Sequence, residues 1–302
     1  VWWLWPLWLL SLIPGAMLIY RLVYRYIAAR RYCAAGHCAI PQPRPNGASP
    51  LKPFPQGWFA WLPLLGLTLA TPPFRNQLPN WIFMWLFVTA MFAGCKWLTW
   101  RRAGNQGAKP MRTLGYLFLW PGMDAKSFLS GEHRATPRIT EWVLAAGRLL
   151  FGIVLLLLAA HGVATADDLV NAWVAMFGIT LILHFGAFHL VALTWQRAGV
   201  PAKPFMQSPA TATSLADFWG VRWNTAFNKL VHDLAFRPLA RRLGIAIATM
   251  MVFAISGLIH ELAISFPARG GYGLPFGYFV LQGIGVLIER SPLGKTLRLS
   301  TG

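Results

Sequence analysis

A histidine and a glutamate stand side by side, His260 and Glu261, inside the apolar run IAIATMMVFAISGLIHELAIS from Ile245 to Ser265. A charge near the centre of a bilayer costs roughly 2.5 kcal/mol or more, so ionisable groups in a membrane-length segment point to a site in the protein interior. Just ahead lies the half-polar aromatic segment FWGVRWNTAFNKLVHDLAFRPLARRLG, Phe218 to Gly244, which carries Asn224. A neutral histidine can take the proton of an attacking alcohol. An amide can donate to a developing oxyanion or orient the acceptor. Together these groups suit acyl transfer from a thioester to a hydroxyl, because an alcohol is a poor nucleophile until deprotonated and a thiolate leaves well. Excluding water matters too, since water competes with the alcohol for the acyl group. No covalent acyl-enzyme is required, and the chain has no G-x-S-x-G nucleophile elbow. Set against this is a plain structural reading: a buried neutral histidine satisfied by one donor and one acceptor, beside an interfacial helix with no chemistry.

The elements that must position these groups read as helices. Ser256 lies one turn before His260 on the same helical face. In the preceding segment Trp219, Trp223 and Phe227 form an apolar stripe at helical spacing, with Asn224, Asn228 and His232 alongside as a polar one. Lys229, Asp233 and Arg237 make a third, solvent- or headgroup-facing line. Such a segment lies along the membrane surface or dips partly into it. His260 falls fifteen residues into its span, roughly 22 Å from the near end at 1.5 Å per residue. Asn224 must therefore dip inward, or the helix must tilt, for the two to meet.

FWGVRWN followed by SGLIHELAIS resembles the paired signatures of the membrane-bound O-acyltransferase superfamily, closest to its wax-synthase branch. The resemblance extends from Tyr116 to Glu289, through YLFLWPGMDAKSF, PFMQSPATATSLADFWGVRWN and PARGGYGLPFGYFVLQGIG. It implies that His260 and Asn224 form the active site, with Trp219, Arg222, Trp223, Ser256 and Glu261 as substrate-binding neighbours. It also implies a fatty acyl-CoA donor as co-substrate, a long-chain alcohol acceptor and a wax ester product, with no other cofactor and no metal. Diacylglycerol, a sterol or a polysaccharide hydroxyl are further acceptors across the superfamily. Arg222, Lys229, Arg241 and Arg242 are candidates to meet the CoA phosphates, or serve only as positive-inside determinants. A rival of another class is a non-catalytic lipid-binding or transport protein, but the repeat symmetry and matched broken helices common in transporters are not evident.

Composition sets the class. More than half of the chain is apolar and only 12% is charged, which with several runs near 20 residues reads as an integral membrane protein. The expectation is an all-α polytopic fold of about seven transmembrane helices plus the interfacial segment, one membrane domain over residues 1–302. The candidate spans are Trp2 to Tyr20, Trp58 to Ala70, Trp81 to Leu98, Trp142 to Ala160, Ala172 to Trp195, Ile245 to Ser265 and Phe276 to Ile288. The second and last are short, and either extend into their flanks or are re-entrant. Val1 to Tyr20 lacks the basic start of a signal peptide and reads as a retained anchor, with a missing piece at either terminus also envisaged.

Lysine and arginine total 27 against nine acidic residues, and their distribution decides what that excess means. Residues 21–56, 99–138 and 196–244 hold most of it, whereas the alternate connections hold Arg75, then only Asp167 and Asp168, then Arg269. This is positive-inside patterning rather than a nucleic-acid footprint. It places the N-terminus outside and the basic connections in the cytoplasm, with a bacterial inner membrane as the expected location. Cys33, Cys38 and Cys95 make no disulfide framework, and His37 beside the first two lacks the further ligands of a metal site. Pro41 to Pro55 is a stiff surface connection. Arg148, inside the fourth span, is explained by snorkelling or by a substrate contact. His184 and His189, five apart, fall on different helical faces and read as interhelical hydrogen-bonding groups.

Overall fold

The computed structural model describes residues 58–104, 108–130, 136–162, 167–297 and 299. These belong to one compact unit, residues 54–302. The first expected span, Trp2 to Tyr20, the Pro-rich connection and Cys33, His37 and Cys38 lie outside the described residues. What is described is all-helical, with no strand among the described residues.

Among the described residues four helices are long and apolar enough to cross a membrane: α2 (Asn80–Ala103), α3 (Ile139–Ala160), α4 (Asp168–Arg197) and α6 (Ile245–Ala268). They fall where the hydrophobic runs place them. Their exposed surface is apolar, as at Leu150, Phe151, Val154 and Leu157 on α3 and Phe177 on α4. Within hydrocarbon a helix satisfies its own backbone, so such a surface needs only lipid for a neighbour. The run Trp58 to Ala70, expected to be short, forms the eight-residue helix α1 (Leu62–Leu69), about 12 Å against a hydrocarbon core of about 30 Å. Pro63 opens α1 at its first turn, and Ala70 closes it with a backbone bond to Gly66. The last run forms α7 (Leu274–Arg290), 17 residues long and at the lower limit for spanning.

Two helix pairs dominate the packing. In α3 and α4, Gly152 and Gly178 face each other, and a Cβ on Gly152 would lie 2.8 Å from the Gly178 carbonyl oxygen. Absent side chains thus let the two backbones touch. In α6 and α7, Gly257 meets Phe276, while Gly283 meets Phe253 and Met250.

The connections sort onto two ends. At one, Arg269 Nη2 donates to the Arg75 carbonyl (2.8 Å), and Arg75 Nη2 donates to the Tyr272 hydroxyl (3.1 Å). At the other, the described parts of the two basic connections, 99–104, 108–130, 136–138 and 196–244, fold into one layer. Its core includes Tyr116, Trp120, Phe128, Val200, Phe205 and Ala226. Trp120 stacks on Phe128 at 5.7 Å, and Phe205 meets Trp120 edge-on at 5.5 Å. Lys229 pairs with Asp124 across the layer at 2.6 Å. The described parts of these two basic connections are thus packed together.

Candidate active site

The aromatic segment is less regular than its stripes suggest. It opens with a wide π turn, Phe218–Arg222, followed by extended Trp223. Asn224 then turns left-handed, with φ 45° and ψ 53°, and starts the short helix α5 (Thr225–Val231). The continuous helix expected across this stretch is interrupted at Trp223 and Asn224. Asparagine is among the few residues that tolerate this conformation, at a cost of order 1–2 kcal/mol for most others. What holds the turn is a neighbouring extended segment. Thr225 N–H donates to the Phe205 carbonyl (2.9 Å), Thr225 Oγ1 to the Pro204 carbonyl (3.1 Å) and Asn224 N–H to Met206 Sδ (3.4 Å). Gln207 N–H in turn donates to the Arg222 carbonyl at 2.9 Å.

The aromatic side chains carry this segment inward. Trp219 meets Phe253 of α6 edge-on at 5.9 Å and Phe279 of α7 at 5.5 Å, and its Nε1–H donates to Gln282 Oε1 at 3.1 Å. Asn228 Nδ2 donates to the Trp219 carbonyl at 2.6 Å, tying α5 to the same residue. Trp223 stacks on Phe218 at 5.3 Å and lies over His184 of α4 at 6.5 Å.

His260 is half-buried on α6 where the helix widens into a second π turn, Glu261–Ser265. Its ring sits 4.4 Å from Phe279, the residue that also touches Trp219. His260 Nδ1 lies 2.7 Å from the Ser256 main-chain carbonyl. A carbonyl only accepts, so Nδ1 carries the proton and Nε2 keeps its lone pair. Nε2 has no hydrogen-bond partner among the described residues. The Asn224 side chain has none either, and no hydrogen bond joins Asn224 to His260. One aromatic pair, Trp219 and Phe279, links the element of Asn224 to His260, so it is the aromatic side chains that dip inward.

The remaining expected site residues have defined partners. Ser256 meets His260 through its main-chain carbonyl. Glu261 accepts from the N–H groups of Gly273 (2.6 Å) and Phe276 (3.2 Å), capping the start of α7. A carboxylate at a helix N-terminus answers both the free donors and the helix dipole. Arg222 donates to Asp217 Oδ2 (2.5 Å), Thr211 Oγ1 (2.5 Å) and the Ser208 carbonyl (3.4 Å), so its own loop engages the guanidinium. Arg241 and Arg242 are exposed.

Three polar residues escaped the sequence reading. Lys96, fully buried in α2, donates to the Gly122 carbonyl at 2.7 Å and lies 3.3 Å above the Tyr116 ring. Glu289, also buried, accepts from Leu215 N–H (3.0 Å) and Ala216 N–H (2.9 Å) at the head of the aromatic segment. Gln282 holds Trp219. For Lys96, a charge inside an apolar run was the available signal; Glu289, at the end of its run, and Gln282 gave none. Among the described residues no His, Cys, Asp and Glu cluster could hold a metal ion.

Residues 202–281 match the membrane bound O-acyl transferase family. Among individual proteins the chain is similar to a long-chain-alcohol O-fatty-acyltransferase of Simmondsia chinensis, 32% identical over 100 residues, covering 30% of this chain and 28% of that protein. A probable long-chain-alcohol O-fatty-acyltransferase 8 of Arabidopsis thaliana is 32% identical over 111 residues, 32% of each chain. An acyl-CoA–sterol O-acyltransferase 1 of the same plant is 30% identical over 74 residues, 22% of this chain and 21% of that protein. The matched part spans less than a third of the length of these relatives.

Proposed function

We propose that this chain transfers a fatty acyl group from acyl-CoA to the hydroxyl of a long-chain alcohol, forming a wax ester. The observation that carries the reading is the state of His260: one nitrogen is held by the Ser256 carbonyl and the other is left as a base. In this mechanism Nε2 removes the alcohol proton as the oxygen attacks the thioester carbonyl. The tetrahedral oxyanion is met by an amide donor, the role assigned to Asn224. Collapse expels the CoA thiolate, which recovers the proton from the imidazolium as CoA thiol. The aromatic walls of Trp219, Phe253 and Phe279 keep water away from the acyl carbon. No cofactor beyond the co-substrate enters these steps.

The wax-ester reading draws on the names of the plant relatives, and the sterol relative supplies a second acceptor to test. Membranes expressing the chain are incubated with labelled acyl-CoA and a panel of long-chain, short-chain and sterol alcohols. Labelled long-chain esters in excess over short-chain ones are expected, because an apolar chain partitions from the bilayer. Equal esterification of a soluble sugar, or no labelled ester, overturns the reading. The basic layer is placed in the cytoplasm and the N-terminus outside, a location expected of a bacterial inner membrane. With Cys33, Cys38 and Cys95 replaced, a cysteine at position 168 is then labelled from outside and one at position 242 is not. The reverse pattern contradicts that orientation.

A further inference from the structure

A cavity of about 450 Å³ opens where α3 and α4 meet the extended segment 203–208. Its lining includes Arg148 and Glu141 of α3, Phe185 and His189 of α4, and Lys203 and Met206 of that segment. This volume suits a small-molecule site. Its chemistry is unlike that of the aromatic walls around His260, since three of these side chains are N–H donors capable of positive charge.

None of the three has a hydrogen-bond acceptor or an ion-pair partner among the described residues. Elsewhere in the same layer Arg222 is answered by Asp217, Lys229 by Asp124 and Arg102 by Asp233. Arg148 is held only by the face of Phe185, 5.9 Å away, which orients the guanidinium without neutralising it. A planar guanidinium with a lysine and an imidazole is the donor set that recognises phosphate oxygens. A low-dielectric membrane edge strengthens such attraction. Glu141 stands in the first turn of α3 and is the one carboxylate in the lining, so the site keeps a net positive charge.

The cavity also borders the proposed catalytic turn. Met206, in its wall, accepts the Asn224 N–H through Sδ, and the carbonyls of the next two residues lie within reach of Arg222. We infer that this cavity is an anion site for an organic phosphate, held by Arg148 and Lys203 with His189. The phosphate belongs either to the CoA portion of the acyl donor or to an anionic phospholipid headgroup. The first source rests on the acyl-transfer reading above; the second is independent of it.

The test uses the full chain purified into phosphatidylcholine nanodiscs, as wild type, Arg148→Gln, Lys203→Gln and the double variant. Arg148 and Lys203 are both exposed, so these substitutions leave the fold in place, which a thermal unfolding curve verifies. One arm measures binding of free coenzyme A. The other measures the rise in Tm when phosphatidylglycerol is added to the nanodisc lipid. If the donor phosphate is the ligand, each substitution weakens coenzyme A about ten-fold or more, the size of a lost hydrogen bond to a charged group. If the headgroup is the ligand, the double variant loses the phosphatidylglycerol-dependent rise while coenzyme A binding is unchanged. Either result supports the site. Wild-type values in both arms for the double variant overturn it, and an acyl-transfer assay on the same wild-type preparation judges the other reading separately. Ester formation with no variant effect sinks the phosphate site alone. A lost phosphatidylglycerol effect in a preparation that forms no ester sinks the transferase reading alone.

Discussion

Lys96 on α2 and His260 on α6 occupy similar places in the sequence, each a lone basic side chain deep in an apolar run, but they end in opposite states. Lys96 is fully buried, with its Nζ on the Gly122 carbonyl and the face of Tyr116. The Tyr116 hydroxyl is itself 2.7 Å from Thr99 Oγ1, one turn along the same helix. These interactions tie Tyr116 and Gly122 to α2. His260 is half-buried, spends one nitrogen on its own helix and keeps the other open. Glu261 and Glu289 follow the lysine pattern, each taking two backbone N–H groups. An ionisable group whose partners are used up is architecture; one with an open lone pair in an aromatic enclosure is available for chemistry.

Substitutions can break this contrast, and the largest stability effect falls on the lysine. Lys96→Ala strips the Gly122 carbonyl of its donor and leaves a cavity, for an expected cost of about 2–5 kcal/mol. Thermal unfolding in detergent shows it as a large fall in Tm and yield, whereas the folded fraction keeps its turnover per molecule. A selective loss of turnover without a stability change would put Lys96 on the chemical side of the comparison.

Asn224 gives the next effect. Asn224→Gly keeps the left-handed turn, since glycine takes positive φ freely, and removes only the amide. Turnover is expected to drop about 10²-fold, as for loss of one oxyanion donor, with Tm little changed. Unchanged turnover would reduce Asn224 to a turn former.

The smallest effect is a pH dependence at Asp217. Burial alone would raise its carboxyl, but the Thr213 backbone N–H and the Arg222 guanidinium outweigh it and hold the carboxyl below its usual range. A carboxyl depressed in the folded state stabilises above its unfolded value, near about 3.9, and loses that contribution as pH falls through the folded value. Wild type is thus expected to lose a small increment of Tm below about pH 4 that Asp217→Asn lacks at every pH. Parallel profiles for the two proteins would remove the Asp217–Arg222 pair from the fold's support.

What the sequence revealed and concealed divides along a physical line. Apolar length located α2, α3, α4 and α6, because crossing a membrane is a local property of a run. Charge alternation proposes a sidedness for the connections, since it depends only on composition between runs, and labelling from outside tests it. The run Trp58 to Ala70 was legible as short, but hydropathy does not register where a proline-opened helix of eight residues stops. The π turns at Phe218–Arg222 and Glu261–Ser265 and the break at Asn224 arise from tertiary contacts with residues 204–207 and with α7. Stripe counting at helical spacing cannot register them. Likewise Arg222 read as a free cation because its partner Asp217, five residues earlier, becomes a neighbour only through the π turn. His260 and Asn224 were singled out by type and motif; Gln282, which anchors Trp219 from 63 residues away, carries no local mark.

The most direct measurement is turnover of purified, monodisperse His260→Gln with labelled acyl-CoA and a long-chain alcohol. Glutamine donates and accepts hydrogen bonds but is no base near neutral pH, so it separates proton transfer from structural bonding. His232→Ala is the control, because His232 is exposed and pairs only with adjacent Asp233 at 3.2 Å. Loss of transfer by roughly 10²–10⁴-fold in His260→Gln, with Tm retained and the control near wild type, is the expected result. Near-normal turnover in well-folded His260→Gln would contradict the base role and the mechanism built on it.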